Sequence, residues 1–256
     1  PEFGTGGDAG AFIRLPYFIP IGDDKDVTVD PIITKEEGLV LSGEYRHKLR
    51  KAEVTLRGSI AEAKRKEGDA NNPTEKGDRV RGHFELESTH HIDETWRANL
   101  DVKRASDRSY LRKFDFFNLN RNTLRSKANF EGFRRRNYIA ANAYWFQDLR
   151  TDDRAEQPAV VPVLDFNHVG EADGFGGRRQ LDANLRTLFR EKGTDSQRVS
   201  VKPSYKIGRT WNPGLVTTAT MSVQMDGYRV EDVSSSGNDS AMLGRAFPQA
   251  ALEVRY

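Results

Sequence analysis

Three observations predict an all-β fold: an antiparallel up-and-down transmembrane β-barrel, with about ten to twelve strands of a larger barrel present. First, apolar and charged residues alternate one by one along most of the 256 residues. Successive side chains of a strand point to opposite faces, so each such segment carries one apolar and one charged face. Second, tight and long connections alternate through the first half of the chain. Bacterial outer-membrane barrels share that asymmetry, with short periplasmic turns and long external loops. Third, mean hydropathy is −0.72, and no run approaches the ~18–20 apolar residues that a spanning helix requires. A barrel strand sets only half of its residues against lipid, so it tolerates that average.

The segments follow in chain order. Residues 1–10, beginning Pro-Glu-Phe-Gly-Thr-Gly-Gly, look like a vector or linker scar. Val-Thr-Val-Asp-Pro-Ile-Ile (27–33) is the first barrel strand, and it contains Pro31. Proline has no N–H to give a ladder, so Pro31 marks an edge, a weak seam or simply the start of the strand. In 51–62, Ala52, Val54, Leu56 and Ile60 oppose Lys51, Glu53, Thr55 and Arg57. In 79–90, Val80, Phe84 and Leu86 oppose Arg79, Arg81, His83 and Glu85. In 94–103, Trp96, Ala98, Leu100 and Val102 oppose Arg97, Asn99, Asp101 and Lys103. In 122–132, Leu124, Ala128 and Phe130 oppose Arg125, Lys127, Asn129 and Glu131. Segments 181–189, 199–207, 215–225 and 248–256 repeat the scheme. Helical spacing fits none of these windows as well, and the strands are expected to run roughly 9–13 residues, longer than the ~5–6 of globular sheets. Tight links fall at 49–51, 91–93 and 133–135, and long ones at 64–78, 105–121, 149–158 and 230–246.

A soluble antiparallel sandwich uses the same period. The length of the strands, the dense charge on the wet face and aromatics near strand ends favour the membrane form. Trp145 and Phe146 end one strand, Tyr110, Phe114, Phe116 and Phe117 lie in a loop, and Trp211 lies in a turn. Interfacial girdles place aromatics in that way.

Composition bounds the chemistry. Forty basic against 38 acidic residues leave a net charge of +2, which argues against a nucleic-acid partner. There is no cysteine, and the five histidines show no metal-ligand spacing, so no metal site and no cofactor are expected. No catalytic set is expected either. One enzymatic alternative is an outer-membrane lipid hydrolase using Ser88 and His90, two residues apart on one parity. A nucleophile–base pair needs a third group to orient the imidazole, and the sequence identifies none. A general outer-membrane porin is the other alternative.

The segment RGHFELESTHHIDETWRANLDVKRASDRSYLRKFDF (81–116) resembles the barrel domain of the LptD family, outer-membrane lipopolysaccharide assembly proteins also called organic solvent tolerance proteins. Arg104–Phe116 is its most specific part, supported by LPYFIPIGDD (15–24), GEYRHKL (43–49), EGFRRRNYIAANAYWFQDLR (131–150) and FPQAALEVRY (247–256). The resemblance implies that residues 11–26 join a periplasmic jellyroll domain to the barrel and that 27–256 are its N-terminal part. It implies an outer-membrane location and lipopolysaccharide as cargo, with no bond made or broken. Its implied partners are an LptE-like plug lipoprotein, an LptA-like periplasmic bridge protein and outer-membrane lipids. The family's lateral gate uses a proline-weakened first strand, and Pro31 matches that position. The charged faces would then form the lumen wall, with Arg57, Arg81, Arg97, Lys103, Arg125, Lys127 and Arg186 meeting phosphate and acidic sugar. Interleaved Glu53, Glu85, Asp101, Glu131 and Asp182 would keep that wall from trapping an anion. Cross-strand ion pairing is the competing role for each of these cations.

Overall fold

The structure, a computed structural model, describes residues 1–67, 74–120, 122–150, 159–190, 194–231 and 240–256. Strands dominate it. Three short ones come first: β1 (Glu2–Thr5), β2 (Ala11–Arg14) and β3 (Tyr17–Pro20). Twelve long ones follow: β4 (Lys25–Thr34), β5 (Gly38–Leu49), β6 (Ala52–Glu67), β7 (Thr74–His91), β8 (Trp96–Ala105), β9 (Thr123–Arg134), β10 (Asn137–Asp148), β11 (Ala159–Ala172), β12 (Arg178–Phe189), β13 (Asp195–Trp211), β14 (Leu215–Glu231) and β15 (Ser240–Arg255). A single helical turn, α1 (Tyr110–Lys113), interrupts the connection after β8.

From β4 onward, each strand neighbours the next in sequence, an up-and-down meander. The order is β1-β2-β4-β5 and onward to β15, with β3 also paired to β4. Every long strand reaches the ~9–11 residues that cross a bilayer, and no helix is long and apolar enough to do so. The expected ten to twelve strands are present. Their connections alternate in length: 50–51, 92–95, 135–136, 173–177 and 212–214 are short, whereas 68–73, 106–122, 149–158 and 232–239 are longer. The alternation weakens after β11, where 173–177, 190–194 and 212–214 are all short. Three loops are shorter than expected, because β6 runs on to Glu67 and β7 begins at Thr74, β14 runs on to Glu231 and β15 begins at Ser240, and β13 takes Trp211 out of its turn. At the facing ends of β6 and β7 the sequence carries polar residues on both parities, so the two-residue signal fades there.

The distribution of burial is the reverse of a soluble sheet. On β7, Val80 is 69% exposed and Arg81 only 3%. Phe84, Leu100, Phe130, Leu164, Met221 and Leu252 are exposed, while His83, Glu85, Asn129, Asn142 and Asp226 are buried. Apolar side chains on the accessible face and polar ones packed together on the other are what lipid outside and water inside require.

The chain divides into two compact units. The first comprises residues 1–92, 97–128 and 144–157, and the second 93–96, 129–143 and 158–256. In the second, the Trp96 ring stacks on Phe130 with centroids 5.0 Å apart. A Cβ on Gly132 would lie 2.5 Å from the Trp96 ring, so only glycine admits this stack. The first unit holds the apolar core. Ala9, Ile32, Val40, Ala61, Ala63, Ala105, Tyr110, Leu111, Phe114, Leu124 and Leu149 are buried together. Residues 1–10 contribute β1 and a 3-10 turn ending at Ala9, which is fully buried.

That core corrects the expected placement of the aromatics after β8. Tyr110 and Phe114 are fully buried, and with Phe12, Phe116, Phe117 and His83 they form a continuous ring cluster with centroids 4.4–6.3 Å apart. The loop folds onto the polar face instead of joining an interfacial girdle. Room for it comes from Ala61, Ala63 and Ala105, small residues standing where the wall otherwise carries long charged ones.

Candidate functional site

The candidate site has two parts in the first unit, the edge of β4 and the polar wall that follows it. On one side, β4 pairs with β5 along its whole length, Pro31 opposite Leu41. On the other side, β2 covers Ile32–Thr34 and β3 covers Asp26–Val29. Between them the Leu15 N–H donates to the Pro31 carbonyl at 3.1 Å. N–H and C=O of one strand residue point to the same side. The donor that Pro31 lacks is therefore missing on the edge facing the N-terminal segment, while its link to β5 is untouched. Arg14 clamps the same place, its Nε donating to Asp30 Oδ2 at 2.8 Å.

The wall residues fall into distinct settings. Arg57 lies within a cross-strand ladder: its Nε donates to Glu44 on β5 at 2.5 Å and its Nη1 stands 3.5 Å from Glu87 on β7. Lys103 stands 3.4 Å from Asp101 and 4.0 Å from Glu87. Arg46 binds Asp26 at 2.9 Å one row away. The ion-pair role therefore accounts for Arg57 and Lys103. Arg97 is exposed on β8. Arg186 is exposed on β12 and directly opposite Arg198, whose own charge is met by Asp226 at 3.0 Å.

On β9 the single expected parity breaks. Leu124 and Ser126 are buried and Arg125 is exposed, but further on Asn129 is buried and Phe130 exposed. Ser126 Oγ explains the offset. It accepts from the Lys103 N–H at 3.1 Å and donates to the Lys103 carbonyl at 3.2 Å, so a side chain takes over a backbone pairing. Arg125 thereby parts from Lys127, whose Nζ lies 5.8 Å from the Tyr144 ring centroid.

Arg81 serves a purpose that sequence reasoning missed. Its guanidinium grips Asp107 through two bonds, Nε to Oδ2 at 2.8 Å and Nη2 to Oδ1 at 2.7 Å, and also reaches Ser109 Oγ at 2.9 Å. Asp107 further accepts from the N–H groups of Ser109 and Tyr110 at 2.9 and 3.1 Å. Burial opposes the charge on Asp107, but the Arg81 guanidinium and the Ser109 donors outweigh it and hold the carboxyl well below the usual carboxylate range. Lys113 Nζ makes a second buried pair with Glu37 at 2.6 Å. Ser59 Oγ lies 2.7 Å from both Tyr110 Oη and His83 Nδ1, and burial pushes the Tyr110 phenol up to about 12. The residues that make Arg104–Phe116 distinctive thus bolt a loop to the wall. The signal in the sequence was apolar residues at polar parity, Ile32 and Val40 above all.

Ser88 and His90 do touch, Oγ to Nε2 at 2.7 Å. No bond to His90 Nδ1 occurs among the described residues, and no cluster able to hold a metal ion occurs among them either.

Comparison with known proteins bears on this geometry. The LptD family model, described as "LPS transport system D", matches residues 79–256. An LPS-assembly protein LptD from Ralstonia nicotianae is 24% identical over 99% of this chain and 30% of its own length. One from Idiomarina loihiensis is 23% identical over 100% of this chain and 32% of its own length. One from Pasteurella multocida is 28% identical over 67% of this chain and 22% of its own length. The chain spans at most about a third of these curated relatives.

Proposed function

The chain belongs to the LptD family, and on that premise we propose that its twelve long strands form part of the wall through which lipopolysaccharide passes into the outer leaflet of the bacterial outer membrane. The observation that carries the reading is the inverted burial: Val80, Phe84 and Leu100 accessible, Arg81, His83 and Glu85 enclosed. The apolar face meets lipid, and the charged face lines a watery path for phosphate and sugar. Along that path, cations paired in ladders, such as Arg57 and Lys103, offer exchangeable contacts, since an exposed ion pair is worth only ~0–1 kcal/mol and yields to a passing anion. Arg97, Lys127 and Arg186 complement them, while Arg125, on the face opposite Leu124 and Ser126, lies off the path. Arg81 acts differently, anchoring the loop that narrows the path.

Pro31 is the gate element in this reading. The edge of β4 lacks one donor where the N-terminal segment crosses it, so pairing there is weakest. A seam at that edge lets the lipid part leave sideways while the sugar stays on the polar side. An LptE-like plug lipoprotein and an LptA-like bridge protein are the partners this role calls for. No covalent chemistry is assigned. The Ser88–His90 contact lacks the orienting group that a hydrolase dyad needs.

Photo-crosslinking probes at Pro31 and Arg97 in cells actively exporting lipopolysaccharide test the proposal. Adducts at both positions are expected, and silence at both during export would overturn it. A porin would instead show ion conductance independent of any plug protein.

A further inference from the structure

We infer that the apolar face of the second unit carries a groove for one zwitterionic glycerophospholipid, its acyl chains along Leu181, Pro203, Met221 and Val223 and its headgroup between Arg179 and Asp173. The inference rests only on this face meeting lipid, and it stands or falls independently of the cargo proposed above.

The groove has a volume of about 1010 Å³, and its floor is completed by Pro248 and Ala250. Its concavity follows from the prolines. The β13–β14 ladder runs in register to Val201–Met225 and resumes at Ser204–Ser222. Pro203, which has no N–H to give, lies in the interval. On the other flank Pro248 pairs with Val223. The short proline rings leave Met221 and Val223 exposed between them.

One end of the groove is polar and carries both signs of charge. In the turn 173–177, Asp173 Oδ1 accepts from the N–H groups of Phe175 and Gly177, both at 3.0 Å, and Oδ2 accepts from Tyr205 Oη at 2.9 Å. A Cβ on Gly177 would lie 1.9 Å from Tyr205 Oη, so glycine is what lets the phenol cross the turn. The Tyr205 hydrogen bond, with help from Arg179, holds the Asp173 carboxyl below its ordinary value, so it is ionised at neutral pH. Arg179 is exposed on the same lip of the groove. An anionic headgroup alone would meet Asp173 unfavourably, and a cationic one would meet Arg179. A headgroup bearing phosphate and ammonium satisfies both, phosphate on the guanidinium and ammonium on the carboxylate. The turn is also one of the short set, which places the headgroup at the periplasmic boundary of the membrane.

Native mass spectrometry of the full-length protein, loaded with phosphatidylethanolamine or phosphatidylglycerol, tests this. One phosphatidylethanolamine is expected to be retained per protein in preference to phosphatidylglycerol. Arg179→Gln is expected to cut retention roughly tenfold, the loss of one charge-assisted contact. Ala250→Trp, which fills the groove, is expected to do the same, while Leu252→Trp, on the same face outside it, leaves retention unchanged. Heat-modifiable gel mobility reports folding of each variant, and Arg179→Gln removes an exposed side chain, so it keeps the test open if Ala250→Trp does not fold. Equal retention of the two lipids, or equal effects of Ala250→Trp and Leu252→Trp, would reduce the groove to ordinary boundary lipid and overturn the inference.

Discussion

Removing the Asp107 carboxylate should release the loop that follows β8. Its partner Arg81 has a side chain 2% exposed and its own carboxylate is 6% exposed, so Asp107→Ala takes the bidentate carboxylate contact from an enclosed guanidinium. Breaking a buried pair from one side costs about 3–5 kcal/mol, because the remaining charge stays away from solvent and has lost that contact. The variant also strips acceptors from the Ser109 and Tyr110 N–H groups. Amide hydrogen exchange over 107–117 reads the effect, with protection expected to fall by roughly two to four orders of magnitude. Arg81→Met should do the same, and combining Arg81→Met with Asp107→Leu should recover much of the loss, since an apolar pair carries no stranded charge. The pH dependence has a definite sign. The folded Asp107 is held below its unfolded value near 3.9, so its contribution is fully present above about pH 4 and is lost only as pH falls toward the folded value. The difference in loop protection between the parent chain and Asp107→Ala should be flat from pH 5 to 8 and shrink below 4. Unchanged protection in Asp107→Ala, or a difference from the parent chain that already disappears near pH 6, would refute the reasoning.

Other consequences follow from the same contacts. Phe114→Ala empties a fully buried ring position and should cost about 3–5 kcal/mol, seen as a lower midpoint in heat-modifiable gel mobility. Gly132→Val drives a side chain into Trp96 and should lower the same midpoint by an overpacking penalty of about 1–3 kcal/mol, with Trp96→Ala in the same chain relieving most of it. Pro31→Ala restores the missing donor at the β4 edge and should slow surface appearance of lipopolysaccharide while leaving the gel midpoint within about 0.5 kcal/mol of the parent. Ser88→Ala should leave export unchanged, because the Ser88–His90 bond has no role in it.

The strands were legible because lipid and water enforce a strict two-residue period. Trp96, Ala98, Leu100 and Val102 against Arg97, Asn99, Asp101 and Lys103 needed no tertiary information. The limits of that period were less legible. Beyond Glu62 and before Arg79 both parities turn polar, so the true reach of β6 and β7 leaves no contrast to read. The offset at Ser126 was equally hidden, since it depends on one hydroxyl reaching the backbone of Lys103. The loop from Asp107 to Phe117 has no period at all. Its fold follows from long-range pairs, Arg81 with Asp107 and Glu37 with Lys113, 26 and 76 positions apart. Sequence alternation assigned Arg81 to the wall and could not show that its charge was already taken.

Photo-crosslinking at each position from Trp96 to Lys103 in turn, during active export, tests the account most directly. Lipopolysaccharide sugar adducts are predicted at Arg97, Asn99, Asp101 and Lys103, and bilayer lipid adducts at Trp96, Ala98, Leu100 and Val102, a period of two with the cargo on the charged parity. Adducts of one kind at all eight positions, or sugar on the apolar parity, would contradict it.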